Sequence, residues 1–333
     1  MAILLALAAT AASPQPGELK TFKNWIVGCD NGRNCKTVAL TPDDTRDRND
    51  FLRLALVRNA EVNAQPVLTI DFDPTKPGVK MALILDGRPF TDVAAAPDRI
   101  DTKLVLTGAQ IRTLANGTTA TIGTARTSLA GLSAALRYID DRQFRVGTIT
   151  AMIATGSATT PVRPAAIPVI TAAKADKRPP RAIGAARAAQ LIGRDNAVCK
   201  YALGKIAPEA YRLDARHSLV MIDHPCGNGA YNMFTSAYIV DENGRVAAAQ
   251  FDTDKPNPKD GENMGLVNSG YNPETRRLSS FIKGRGLGDC GSGQDYVWDG
   301  TRFRLVEQTD MGECRGSLDY IRTWQARVVP ELR

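Results

Sequence analysis

The chain has 333 residues, a formal net charge of +7 and 6% aromatic residues. That length exceeds one ordinary domain and predicts two. The basic excess is densest between residues 151 and 195, where aromatics are scarce; this argues against a nucleic-acid binder, which interleaves stacking rings with its Lys and Arg.

Residues 1–12 read as a signal-peptide-like head. Ala2-Ile-Leu-Leu-Ala-Leu-Ala-Ala9 carries no charge, and Ala9-Thr10-Ala11 offers the small-x-small pattern of a cleavage site. The run is shorter than the ~20 residues a bilayer crossing needs, so the mature form is expected not to span a membrane. The positive segment that opens a secretory signal is absent after Met1, so the true start is expected upstream or the sequence is trimmed. The expected location is periplasmic or secreted.

Residues 20–150 predict an N-terminal β-rich domain with a packed helix. Phe22–Cys29 carries β-formers, and Asn31-Gly32 marks a hairpin between Cys29 and Cys35. Apolar runs at 51–58, 67–72, 79–85 and 104–106 read as further strands. A helix is expected from Gly108 to Leu114, stopped at Asn116-Gly117. Another is expected to start near Ser128, because Leu129, Leu132, Leu136 and Ile139 recur at helical spacing.

Residues 151–182 read as a Pro/Ala-rich basic linker, with Pro161, Pro164, Pro168, Pro179 and Pro180 favouring extended chain. Residues 183–330 predict a C-terminal domain, an Ala-rich helix over Ile183–Ile192 followed by an antiparallel meander. Its hairpin signals are Glu242-Asn243-Gly244, Asn272-Pro273 and Asp299-Gly300. The fold class is therefore mainly β with a few helices (α+β), two antiparallel-sheet domains joined by the linker.

Six cysteines fall into three local couples, Cys29 with Cys35, Cys199 with Cys226 and Cys290 with Cys314. An even count in an exported chain reads as a disulfide framework. Six cysteines admit 15 pairings, and the nearest-neighbour scheme is expected because each couple lies inside one predicted domain. Zinc favours closer spacing and more histidine than the two present here, so no metal is expected.

Two family resemblances follow from local motifs. Trp25-Ile-Val-Gly-Cys29, Cys35 and Ser128-Leu-Ala-Gly-Leu-Ser-Ala-Ala-Leu136 resemble the invasion-associated locus B family over roughly the first 150 residues. Pro225-Cys-Gly-Asn-Gly-Ala-Tyr-Asn232, Lys283-Gly-Arg-Gly-Leu-Gly-Asp-Cys-Gly291, Trp298-Asp-Gly300 and Cys314-Arg-Gly316 resemble the bacterial Domain of Unknown Function 1176 family, from about Phe22 to Arg327. Both resemblances imply an exported envelope protein; the second brings no activity.

Gly286-x-Gly-x-x-Gly291 fits a dinucleotide fingerprint, but a strand follows where a helix is required, so no cofactor is expected. His217 and His224 are an odd step apart on one strand and point to opposite faces; Asp223 beside His224 suggests half of an acid–base pair, with no nucleophile in view. Asp252, Asp254, Asp260 and Glu262 suggest calcium, but the EF-hand spacing breaks at Pro256 and Asn257. Asp43, Asp44, Asp47 and Asp50 alternate with Arg46 and Arg48 as a self-neutralising loop. Arg285, Asp289, Trp298 and Arg315 form the candidate ligand site, since a Cys290–Cys314 bond would gather them and arginines beside an aromatic grip anions. The bland alternative is an Arg–Asp brace. The sequence thus predicts a non-catalytic exported protein binding an envelope component or protein partner. The alternative is an envelope hydrolase acting on glycan or peptide through Asp289, Asp295 or Asp299, and a third is a structural or host-contact module.

Overall fold

The computed structural model describes residues 13–42, 51–71, 80–94, 101–159, 165–195, 206–224, 228–252 and 265–331. In chain order the first half forms β1 (Leu19–Phe22), β2 (Trp25–Cys29), β3 (Cys35–Ala39), β4 (Arg53–Arg58), β5 (Val67–Asp71), β6 (Lys80–Leu85), β7 (Arg88–Ala94), β8 (Asp101–Val105), α1 (Gly108–Asn116), β9 (Thr119–Ile122), β10 (Ala125–Ser128) and α2 (Leu132–Arg142). Two antiparallel sheets result, ordered β1-β2-β3-β4-β5-β8 and β10-β9-β6-β7.

The strand expected over Phe22–Cys29 is broken by a hairpin turn between β1 and β2. Phe22 pairs with Trp25, and Lys23 takes a left-handed φ of 53° at the turn. Helix α1 starts behind a Thr107 capping box completed by Gln110, and Gly117 caps its end. Helix α2 begins later than its apolar stripe suggests, because Ala125–Ser128 pairs with β9. Gly131 then turns the chain at φ 103°, where a Cβ would meet the Phe22 carbonyl oxygen at 1.8 Å. Leu129, Leu132, Leu136 and Ile139 all pack into the core with Trp25, Val27, Leu54, Leu56 and Ile70.

Strand β2 is buried along its whole length, which alternation would not allow in a sheet with one wet face. The reason is that the sheet is covered twice. One face meets α2; the other carries Ile26, Val38, Leu40 and Ala55, which pack against Cys290, Met311 and Ile321 of the second half.

A buried polar knot fixes the end of α2. Asp140 accepts from the Met152, Ile153 and Ala154 amides and lies 3.5 Å from Arg58 Nη1. Arg145, fully buried, donates to the Ala60 and Glu61 carbonyls. Burial pulls the Arg58 guanidinium down to about 10, Arg145 adds to the effect and Asp140 opposes it.

The second half forms β11 (Val169–Ala172), α3 (Ala185–Asp195), β12 (Glu209–Arg212), β13 (Ser218–Asp223), β14 (Phe234–Val240), β15 (Val246–Ala248), β16 (Leu266–Val267), β17 (Gly270–Asn272), β18 (Arg277–Lys283), β19 (Gly291–Trp298), β20 (Phe303–Met311), β21 (Ile321–Gln325) and β22 (Arg327–Pro330). Its antiparallel sheets run β12-β13-β14-β15, with β16 on β14, and β17-β18-β19-β20-β21. The fold is therefore mainly β with a few helices, as the sequence predicts.

The expected linker departs from a free connector. Its Pro161 and Pro164 lie outside the described residues, but Val169–Ala172 pairs in parallel with β22 and Ala173 N donates to the Trp298 carbonyl. Ile170 and Ala172 are buried with Val297 and Val306, so the apolar residues after Pro168 gain more as a strand than as solvated chain.

Cys29 and Cys35 are bonded across a directly paired position of β2 and β3, and Cys290 is bonded to Cys314. Cys199 and Cys226 lie outside the described residues, as do the acidic positions 43–50 and Asp254, Asp260 and Glu262. No helix among the described residues is long and apolar enough to cross a membrane.

Candidate ligand-binding cleft

The sequence-predicted quartet divides. Arg285 and Asp289 meet in a two-bond fork, with Nε donating to Oδ1 at 2.6 Å and Nη2 to Oδ2. Oδ2 also accepts from Gly316 N at 2.7 Å. The Arg285 fork, the amide and the guanidinium charge together hold the Asp289 carboxyl below the ordinary carboxylate range. Arg315 turns away to the first half of the chain. It donates to the Thr41 carbonyl at 2.8 Å, the Lys23 carbonyl at 2.9 Å and Asn24 Oδ1 at 2.6 Å. These three residues occupy one bend beside the Cys290–Cys314 bond, and each bonds to the protein itself.

Trp298 sits at the far end of β19, roughly 23 Å away at the usual strand rise. The same strand separates the carboxylates of the hydrolase alternative. Asp289 is in its fork and Asp295 accepts from Ser279 Oγ. Asp299 takes the Thr301 and Arg302 amides. Asp295 and Asp299 are roughly 13 Å apart along the strand, beyond the about 5–9.5 Å that paired glycosidase carboxylates use. Asp252 receives Leu305 N and Arg304 Nε, each at 2.8 Å. Among the described residues no group of three His, Cys, Asp or Glu is placed to hold a metal.

What Trp298 does touch is the β12–β13 turn. Residues 213–217 close it through the Leu213 and Asp214 amides, both donating to the His217 carbonyl. Asp214 Oδ1 accepts from the amides of Arg216 at 2.7 Å and His217 at 2.8 Å, an arrangement short Asp side chains favour at turns. Both Asp214 oxygens lie 3.0 Å from His217 Nδ1. Trp298 Nε1 donates to Oδ2 at 2.7 Å, and its indole meets the imidazole edge-on at 5.4 Å. Burial alone would raise the Asp214 carboxyl. The Trp298, Arg216 and His217 donors outweigh burial and hold it below the ordinary value.

The consequence falls on His217. A carboxylate on Nδ1 makes that nitrogen the donor and fixes the ring. Nε2 makes no hydrogen bond among the described residues, and His217 lines an open cleft of about 510 Å³. Other walls come from Ala173, Ala175, Ala215 and Gly300, small side chains that leave the space clear. The segment after β11 forms one side, the β12–β13 turn another and the β19–β20 turn a third.

Sequence reasoning missed this arrangement. It compared His217 with His224 and set Asp223 beside the latter. Instead Asp223 accepts from Thr235 Oγ1 and His224 Nε2 is bonded to Ser236 Oγ at 2.7 Å. The available signal was Asp214-x-x-His217 at a strand-to-strand turn, a spacing that lets a carboxylate reach the imidazole.

Comparison with known proteins bears on the whole chain. The model of the family described as "Protein of unknown function (DUF1176)" matches residues 19–330. The chain belongs to the DUF1176 family. A relative, "Uncharacterized protein YpfG" of Escherichia coli (strain K12), is 27% identical over 316 residues, covering 89% of this chain and 88% of that protein. No solved structure matches significantly. The family match takes in the Arg285–Asp289 bend and the His217 turn; it does not show the likeness to the invasion-associated locus B family.

Proposed function

We propose that this DUF1176 protein is an exported, non-catalytic binding protein of the cell envelope, and that its ligand enters the His217 cleft. The observation that carries the binding reading is the imidazole fixed through Nδ1 by Asp214 at the wall of an open cleft whose volume lies in the range of small-molecule sites. The uncharged head and the bonded pairs Cys29–Cys35 and Cys290–Cys314 support export to an oxidising compartment.

A non-catalytic role is supported by the separation of Asp289, Asp295 and Asp299 along β19 and by a cleft lining that holds no Ser, Thr or Cys among the described residues. A hydrolase would place an uncommitted nucleophile or second carboxylate beside the base, whereas Asp176, Asp214 and Asp299 in the lining are each held by protein donors.

The test is retention of envelope components. The oxidised protein, immobilised, is incubated with fractionated glycan, lipid and periplasmic protein. A component retained by the native chain and lost from Ala215→Trp, which fills the cleft, supports the proposal. Equal retention by both proteins, or turnover of the retained component, overturns it.

A further inference from the structure

The charges around the cleft narrow the ligand class; the inference rests on the binding reading above. Three of the carboxylates in the lining are already matched. Asp176 takes a two-bond grip from Arg178 at 2.8 and 3.0 Å and lies 3.5 Å from Arg212. Asp214 is saturated by the Trp298 indole, two amides and the imidazole. Asp299 takes two amides and lies 3.3 Å from Arg304 Nη1. The fourth, Glu331, accepts from Lys174 N at 3.0 Å. Nearby Asp241 is paired with Arg245 at 3.7 Å.

The cations that do this matching are mostly outside the cleft. Lys174 and Arg216 line the cleft with His217, and their side chains make no hydrogen bond or ion pair among the described residues. The lining therefore holds two uncommitted positive groups beside an imidazole, with its negative groups largely satisfied. A cationic ligand would have to break existing pairs; an anionic one would not.

We propose that the cleft binds the anionic oxo group of a small ligand, a carboxylate or a phosphate, with Lys174 and Arg216 as its charge partners and His217 Nε2 as the third contact. Nε2 donates to the anion when the ring, held through Nδ1 by Asp214, carries both protons. The small walls at Ala173, Ala175, Ala215 and Gly300 leave room for the uncharged remainder of the ligand.

The two histidines of the chain make the test direct. His224, buried against Ser236, serves as an internal reference for His217 in ring-proton NMR. Inorganic phosphate, D-glucuronate, D-glucose and spermidine are titrated separately into the full oxidised chain. The expected result is a saturable shift of the His217 ring with phosphate or glucuronate, the more effective probe showing which anion source is preferred. Affinity should fall at least tenfold in Lys174→Ala/Arg216→Ala, with the His224 signal and the melting temperature unchanged. A shift indifferent to that double variant, or a response to glucose or spermidine alone, overturns the anion inference while leaving the cleft as a binding site. The cleft reading fails separately, if Ala215→Trp retains the native envelope partner.

Discussion

Arg315 and Asn24 are 291 positions apart in the chain, and the guanidinium Nη2 of one donates to the amide Oδ1 of the other at 2.6 Å. With the bonds to the Lys23 and Thr41 carbonyls, this makes Arg315 a clamp between the halves. Its planar fork is matched to three acceptors at once, which a lysine ammonium cannot reproduce.

Arg315→Ala is expected to lower unfolding stability by about 2–3 kcal/mol, the scale of charged hydrogen bonds lost without replacement. Arg315→Lys should recover less than half. The urea midpoint measures both; an alanine variant within error of the native protein contradicts the clamp.

Asp289 predicts an acid-side loss of stability. Its folded carboxyl titrates below the ordinary carboxylate value because of Arg285, the Gly316 amide and the guanidinium charge. The unfolded chain therefore binds a proton first as pH falls. The stabilisation is complete above an ordinary Asp pKa of about 3.9 and is lost as pH drops below it through the folded value. Melting temperature followed from pH 6 to pH 2 should fall less steeply in Asp289→Asn than in the native chain. Parallel curves would show that the pair contributes no pH dependence.

At the α2 terminus, Asp140→Asn leaves Arg58 and Arg145 as two buried cations without their shared anion. The expected loss is about 3–5 kcal/mol, the usual result of removing one partner from a buried pair. Asp141, exposed on the same helix, is the control, and Asp141→Asn should change stability by about 0.5 kcal/mol or less. Denaturant melts of the two variants decide the matter.

Removing the cross-links should rank by loop length. Cys29→Ser/Cys35→Ser opens a separation of 6 and is expected to cost about 2 kcal/mol, whereas Cys290→Ser/Cys314→Ser opens one of 24 and should cost about 3–4. The second loss also frees the Arg285–Asp289 bend. A reversed order in calorimetry would point to native-state strain in place of chain entropy.

Much of the fold is legible in local chemistry. Asp299-Gly300 lies where β19 turns into β20, and the apolar stripe of Leu129, Leu132, Leu136 and Ile139 packs on the sheet it was expected to cover. The start of α2 was not legible, because Gly131 is needed by a close approach to Phe22 that only the folded chain reveals. Val169–Ala172 looks like connector for a similar reason: its partner strand is 327–330, and no local pattern announces a parallel pairing at that separation. The candidate site shows the same limit. Arg285 and Asp289 are four apart and meet in one fork. Trp298 is expected in the region gathered by the Cys290–Cys314 bond, but a strand's rise carries it to the opposite end of the sheet and to Asp214.

The doubly covered face of β2–β4 has a consequence for biogenesis. Ile26, Val38 and Ala55 receive their cover from Met311 and Ile321, and Gln325 reaches Asp30 across 295 positions. Ribosomes deliver those covering residues long after the surface they protect. Until those late-made strands arrive, the apolar plane stands open to neighbouring chains, where premature association competes with folding.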